Sequence, residues 1–120
     1  MKKFVGIFFI LSIFIVPAFA YMGHSFDEPI NVCAHHILVK DQAQAMRIKS
    51  EIKNLDDFED FAKIYSECPS SRFGGDLGCF GKKQMVKEFE EAAFKGNIGE
   101  VIGPVRTNFG YHLIWVTRKY

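Results

Sequence analysis

Two histidines and one cysteine are the side chains whose types and settings could do chemistry. His36 stands in the run Asn31 to Val39, and His112 in the run Tyr111 to Thr117. Both runs are short and rich in β-formers, so both read as strands. Alternation along a strand puts His36 on one face with Ala34 and Leu38, and His112 on one face with Ile114 and Val116. A buried imidazole is costly unless it finds a hydrogen-bond partner. If the strands are neighbours, the two rings can bond to each other or through a hydroxyl. Two satisfied core histidines would leave the same pattern, and spacing alone favours that plainer reading. Cys68, just before Pro69, is either a small buried hydrophobe or a thiol tuned by an adjacent imidazole.

Other chemistries find little support. His35 and His36 are adjacent, so they point to opposite faces of a strand, and no C-x-x-C pair is present. Neither a zinc site with His24 nor a thioredoxin-like activity is indicated. Gly74 to Gly78 lacks the phosphate-loop pattern. No metal and no cofactor is called for. The three cysteines, Cys33, Cys68 and Cys79, are an odd number, so at least one thiol stays free within a single molecule. Cys79, between Gly78 and Phe80, reads as structural, and Cys33 at the strand start reads as exposed.

The elements that must position these groups follow in order. After the first strand, Asp41 is a suitable N-cap. Ala45, Ile48, Ile52 and Leu55 recur at helical spacing. Asp56 or Asp57 would cap a second helix with Phe58, Phe61, Ala62 and Tyr65 inward. Pro69 to Gly81 is dense in glycine and marks a shaped loop, with a short strand over Leu77 to Phe80. A third helix is expected over Met85 to Phe94, with Gly96 after its end. Gly103 to Arg106 starts a strand, Thr107 to Gly110 is a hairpin turn, and Tyr111 to Thr117 is the last strand. Strands mixed with helices and closed by a hairpin imply an α+β fold with an antiparallel sheet packed on helices.

The first twenty residues stand apart. Met1-Lys2-Lys3 is basic, Phe4 to Val16 is apolar, and Ala18-Phe19-Ala20 has the small-x-small pattern of a cleavage site. The apolar run is shorter than the roughly 20 residues a membrane span needs. Residues 1–20 are therefore expected to be a signal peptide, 21–30 a flexible lead-in and 31–120 one domain. Export is implied, to a periplasm or the medium, without lasting membrane insertion. Removing Lys2 and Lys3 takes the formal charge from +1 to −1, which argues against nucleic acid as a partner.

Six motifs then add up to a resemblance. They are A-H-H-I-L-V at 34–39, S-x-C-P-S at Ser66 to Ser70, and F-G-G-D-L-G-C-F at 73–80. They continue with G-x-x-Q-M-V-x-x-F-E-x-A-x-F from Gly81 to Phe94, G-E-V-I-G-P-V-x-T from Gly99 to Thr107, and F-G-Y-H-L-I from Phe109 to Ile114. From about Val32 to Arg118 the chain resembles the parvulin family of peptidyl-prolyl cis/trans isomerases.

That resemblance implies a four-stranded antiparallel sheet wrapped by about four helices. It implies that His36 and His112 pair on the sheet floor with Cys68 beside them as the catalytic group. It assigns Leu77, Phe80, Met85, Phe89, Thr107 and Phe109 to the proline pocket. The implied partners are proline-containing unfolded or partly folded polypeptides, met by a monomer. Phosphate-directed relatives carry a basic cluster after the first strand, whereas here Lys40-Asp41-Gln42-Ala43 offers one lysine beside an acid. With Phe109 at the site, an apolar residue before proline is expected. The alternative is a chaperone-like peptide-binding module of the same family without turnover.

Overall fold

The computed structural model describes residues 28–120. The expected signal peptide and residues 21–27 of the lead-in lie outside the described residues. No helix among the described residues is long and apolar enough to cross a membrane.

Four strands form one antiparallel sheet: β1 (Asn31–Val39), β2 (Asp76–Gly81), β3 (Val101–Thr107) and β4 (Gly110–Lys119). Their order is β2-β1-β4-β3, so the two histidine-bearing strands are central neighbours. Among the described residues three helices pack on the sheet: α1 (Gln42–Glu51), α2 (Leu55–Tyr65) and α3 (Lys87–Lys95). A short 3-10 turn over Pro69–Phe73 is the fourth helical piece.

The register fixes two layers. Ala34 lies opposite Val116, His36 opposite Ile114, and Leu38 opposite His112. These residues share one face of the sheet. Away from the histidines, Val32, Ala34, Ile114 and Val116 on that face pack with Phe80 and with Phe89 and Ala93 of α3. The other face presents Ile37, Val39, Leu113 and Trp115 to Ala45 and Ile48 of α1 and to Phe58 and Ala62 of α2. Both faces are covered, which is why β1 is buried at every position after Asn31 rather than at alternate ones.

Local signals set the helix starts. The Asp41 side chain accepts from the Ala43 N–H at 3.3 Å and caps α1. Asn54, not Asp56 or Asp57, caps α2, accepting from the Asp57 N–H at 2.8 Å. Asp57 reaches back instead, accepting from the Lys53 N–H at 3.0 Å. The two bonds together fix the entry of the chain into α2, in the manner of a capping box displaced by one residue. Ile52 and Leu55 do not lie inside α1; they end it and open α2. Tyr65, expected inward, is turned to solvent with its ring stacked on Phe61. Gly96 ends α3 in an extended conformation rather than a left-handed one. Glycine is needed there because a Cβ would run into the Ile102 side chain.

Candidate functional site

The site grows out of the register of β1 and β4. His36 and His112 are diagonal neighbours on the α3 face, and their Nδ1 atoms lie 3.1 Å apart. Both rings are buried. Phe89, in the first turn of α3, stands edge-on to them, with ring centroids at 5.6 Å and 5.3 Å.

The hairpin joining β3 and β4 holds the far end of this pair. Thr107 Oγ1 lies 2.7 Å from His112 Nε2 and accepts from the Phe109 N–H at 3.1 Å. The hydroxyl proton is then free to go to His112 Nε2. That choice puts the His112 proton on Nδ1, facing His36 Nδ1, and the His36 proton on Nε2. In this arrangement every polar atom along the relay is engaged except the His36 Nε2–H. His36 Nε2 is buried with no partner among the described residues, the single uncommitted nitrogen of the relay.

Burial dominates the electrostatics. It holds the His36 imidazole down to about 4, with the neighbouring His112 adding to the effect. Burial lowers His112 as well. Both rings are therefore neutral at neutral pH and act as hydrogen-bonding dipoles rather than cations.

Above the pair opens a cavity of about 490 Å³, walled mainly by apolar side chains. That is the size range of small-ligand sites. His36, His112 and Leu38 are on its sheet side. Cys68 and Pro69 come from the segment after α2, and Leu77 from β2. Phe89 comes from the first turn of α3, which begins at Lys87 rather than at Met85 as expected; Met85 and Val86 come from the segment that leads into it, and Phe109 stands at the lip. Lys40 and Glu67 complete the rim, with Lys40 Nζ donating to the Phe109 carbonyl at 3.0 Å.

The glycine-rich loop is what allows β2 to come in. Gly75 lies so close to β1 that a Cβ would strike the His36 carbonyl oxygen, and its φ of +82° is left-handed. Its own carbonyl accepts the His36 N–H at 2.9 Å. His35, on the opposite face from His36, holds the same loop through Nδ1, 3.0 Å from the Gly74 carbonyl.

Of nine residues expected at the site, seven line the cavity: His36, Cys68, Leu77, Met85, Phe89, Phe109 and His112. Phe80 does not. It is buried behind Phe89, with ring centroids 6.0 Å apart, because β2 turns it into the core between Phe89 and Phe94. Thr107 stands beneath the floor and reaches the cavity only through His112. Leu38, Lys40, Glu67, Pro69 and Val86 were not anticipated. Leu38 was legible, since it shares a face with His36; the rim residues carried no signal beyond adjacency.

The cysteines divide cleanly. Cys33 and Cys79 face each other across β1 and β2 and form a disulfide, so Cys33 is buried rather than exposed. Cys68 is the free thiol among the described residues.

Comparison with known proteins agrees with this geometry. The family described as Rotamase, PPIC-type PPIASE domain, matches residues 36–118. The foldase protein PrsA of Geobacillus kaustophilus is 54% identical over 87 residues, covering 72% of this chain and 31% of that protein. The chain thus spans about a third of the length of the curated relatives it matches. The crystal structure of the peptidylprolyl isomerase PrsA from Bacillus anthracis superposes with a TM-score of 0.70 at 41% identity, covering 78% of this chain and 43% of that one. The solution structure of NmPin, the parvulin of Nitrosopumilus maritimus, has a TM-score of 0.63 at 40% identity, covering 74% of this chain and 97% of that one. Matched sequence and shared fold converge: the chain belongs to the PPIC-type peptidyl-prolyl isomerases, the parvulins.

Proposed function

We propose that this chain accelerates cis/trans rotation about X-Pro bonds in exported polypeptides and so assists their folding. One observation carries the reading: an apolar cavity whose floor is a pair of neutral, mutually bonded imidazoles.

The chemistry asks for no bond to break. Amide resonance sets a rotation barrier of roughly 18–20 kcal/mol. At the twisted state resonance is lost, and the imide nitrogen becomes pyramidal and basic. Water favours the charge-separated planar form, so an apolar site raises the ground state relative to the twist. Leu77, Met85 and Phe89 offer a wall against which a prolyl ring is held. The segment before proline then swings past Phe109 at the lip. The relay from Thr107 through His112 to His36 fixes the floor dipoles in advance, so nothing must reorganise as the imide turns. Lowering the barrier by about 4 kcal/mol would give roughly a thousandfold acceleration. Cys68 contributes through its position and polarity, without covalent attack, since the rotation needs no leaving group.

The rim supports an apolar residue before proline. Phe109 is 56% exposed at the mouth, and the one lysine there is bound to the Phe109 carbonyl. A phosphate would meet Glu67 without a basic cluster. Residues 1–20 would direct export, and cleavage after Ala20 would release a monomeric domain.

A proline-limited refolding reaction tests the reading. Catalysis shortens the slow phase at substoichiometric amounts of the chain. A binding module without turnover leaves the slow rate unchanged or retards it in proportion to its concentration.

A further inference from the structure

We propose that Ser66 is a positioning residue for this site, setting where the Cys68 thiol stands relative to the histidine floor. The inference rests on reading the cavity as the isomerase site.

β1 outruns β2. The ladder joins them from Asn31 to His35, and the Gly75 carbonyl takes the His36 N–H. Past His36 that edge of β1 has no strand beside it, and the Leu38 N–H and carbonyl face the gap. The segment after α2 closes it. Ser66 Oγ accepts from the Leu38 N–H at 3.0 Å, and the Glu67 N–H donates to the Leu38 carbonyl at 2.8 Å. The same Ser66 oxygen accepts from the Cys68 N–H at 3.4 Å. One hydroxyl therefore ties the strand that bears His36 to the residue that bears the thiol.

Among the described residues the hydroxyl makes no other hydrogen bond. Ser66 ends α2, but it does so through its backbone, the N–H donating to the Ala62 carbonyl at 3.0 Å. An alanine would cap α2 equally well in that respect. What alanine would lose is the link between Leu38 and Cys68. Both of those residues line the cavity, and Leu38 is two residues from His36 on the same face. A loosened 66–68 segment moves one wall of the site while the sheet and helices stay.

Ser66→Ala and Ser66→Thr decide the matter, with the Cys33–Cys79 disulfide kept intact. Two readouts are taken on folded protein: kcat/KM on an X-Pro peptide, and the rate at which iodoacetamide alkylates Cys68. Ser66→Ala is expected to lower kcat/KM about tenfold, since displacement of a positioned group costs on that scale. It is expected to raise the alkylation rate about threefold as the half-buried thiol is released. Ser66→Thr keeps the oxygen and should stay within about twofold of the parent in both. If Ser66→Ala does not fold, Ser66→Gly, which also lacks the oxygen and adds no second thiol, takes its place with the same expectation. A folded Ser66→Ala that matches the parent in both readouts overturns the proposal. So does a Ser66→Thr as impaired as Ser66→Ala. Should the parent itself fail to catalyse, the isomerase reading falls, and the alkylation rates alone decide whether Ser66 places the thiol.

Discussion

His36 and His112 lie nearly parallel, their planes 17° apart and their Nδ1 atoms in hydrogen-bond contact at 3.1 Å. Two neutral imidazoles so placed in a dry site set one N–H between their facing nitrogens and resist taking up a further proton. This pair is the feature from which most of the site's behaviour follows.

Stability should fall with acid because of it. His36 titrates near 4 in the folded chain and near 6.5 when unfolded, pushed down by burial first and by His112 second. Between those values the unfolded chain binds more protons, so the stability it contributes is present above pH 6.5 and lost as pH falls through about 4. The loss attributable to His36 is about 3 kcal/mol. Burial of His112 acts in the same direction. Urea unfolding from pH 8 to pH 4 measures this, and His36→Gln should remove the larger part of the slope. A variant with the parent's slope would place the titration elsewhere.

Met85 and Phe89 should separate activity from stability. Met85 is half-buried on the cavity wall, whereas Phe89 is 3% exposed and packs on both imidazoles and Phe80. Met85→Ala is expected to lower kcat/KM about tenfold with about 1 kcal/mol of destabilisation, because its site is open and leaves little cavity. Phe89→Ala should cost about 3–5 kcal/mol and turnover together. Thermal unfolding run beside kinetics distinguishes them; equal destabilisation by the two would show that Met85 is core rather than wall.

Cys68→Asp should stay active. A carboxylate keeps a polar group beside the imidazoles, and rotation about an imide needs no nucleophile. Retention of at least about a tenth of kcat/KM is expected on the electrostatic account. A folded but fully inactive Cys68→Asp would instead argue for attack by the thiol.

Reducing the Cys33–Cys79 bridge should weaken the fold. It links β1 to the edge strand β2 across 46 residues of sequence, and closing a loop of that length stabilises by about 4 kcal/mol in the chain-entropy account. The urea midpoint should drop on reduction, and Cys33→Ala with Cys79→Ala should drop to the same value and ignore reductant. An unchanged midpoint on reduction would mean that the bridge is not closed in solution.

How much of this could be read from the sequence varied with the range of the forces involved. Alternation placed His36 and Leu38 on one face of β1, and Asp41 announced the start of α1, because both are local effects. Asn54 was missed as a cap since Asp56 and Asp57 compete for the part; only the backbone shows which residue leaves the helix. The Cys33–Cys79 pairing depends on the β1–β2 register, which no local pattern specifies. Phe80 sits in a motif with pocket residues, yet strand alternation turns it behind Phe89. The Ser66 and Lys40 contacts span 28 and 69 residues, and neither side chain is unusual enough to advertise a partner so far away.

Exchange spectroscopy on a short peptide with an apolar residue before proline tests the central claim most directly. Cis and trans signals of the peptide interconvert within tens to hundreds of seconds unaided. Adding the protein at a small fraction of the peptide concentration should bring that exchange into the range of seconds or faster, and His36→Gln should reduce the effect. Shifts in peptide signals that report binding, with the interconversion rate unchanged, would contradict the account.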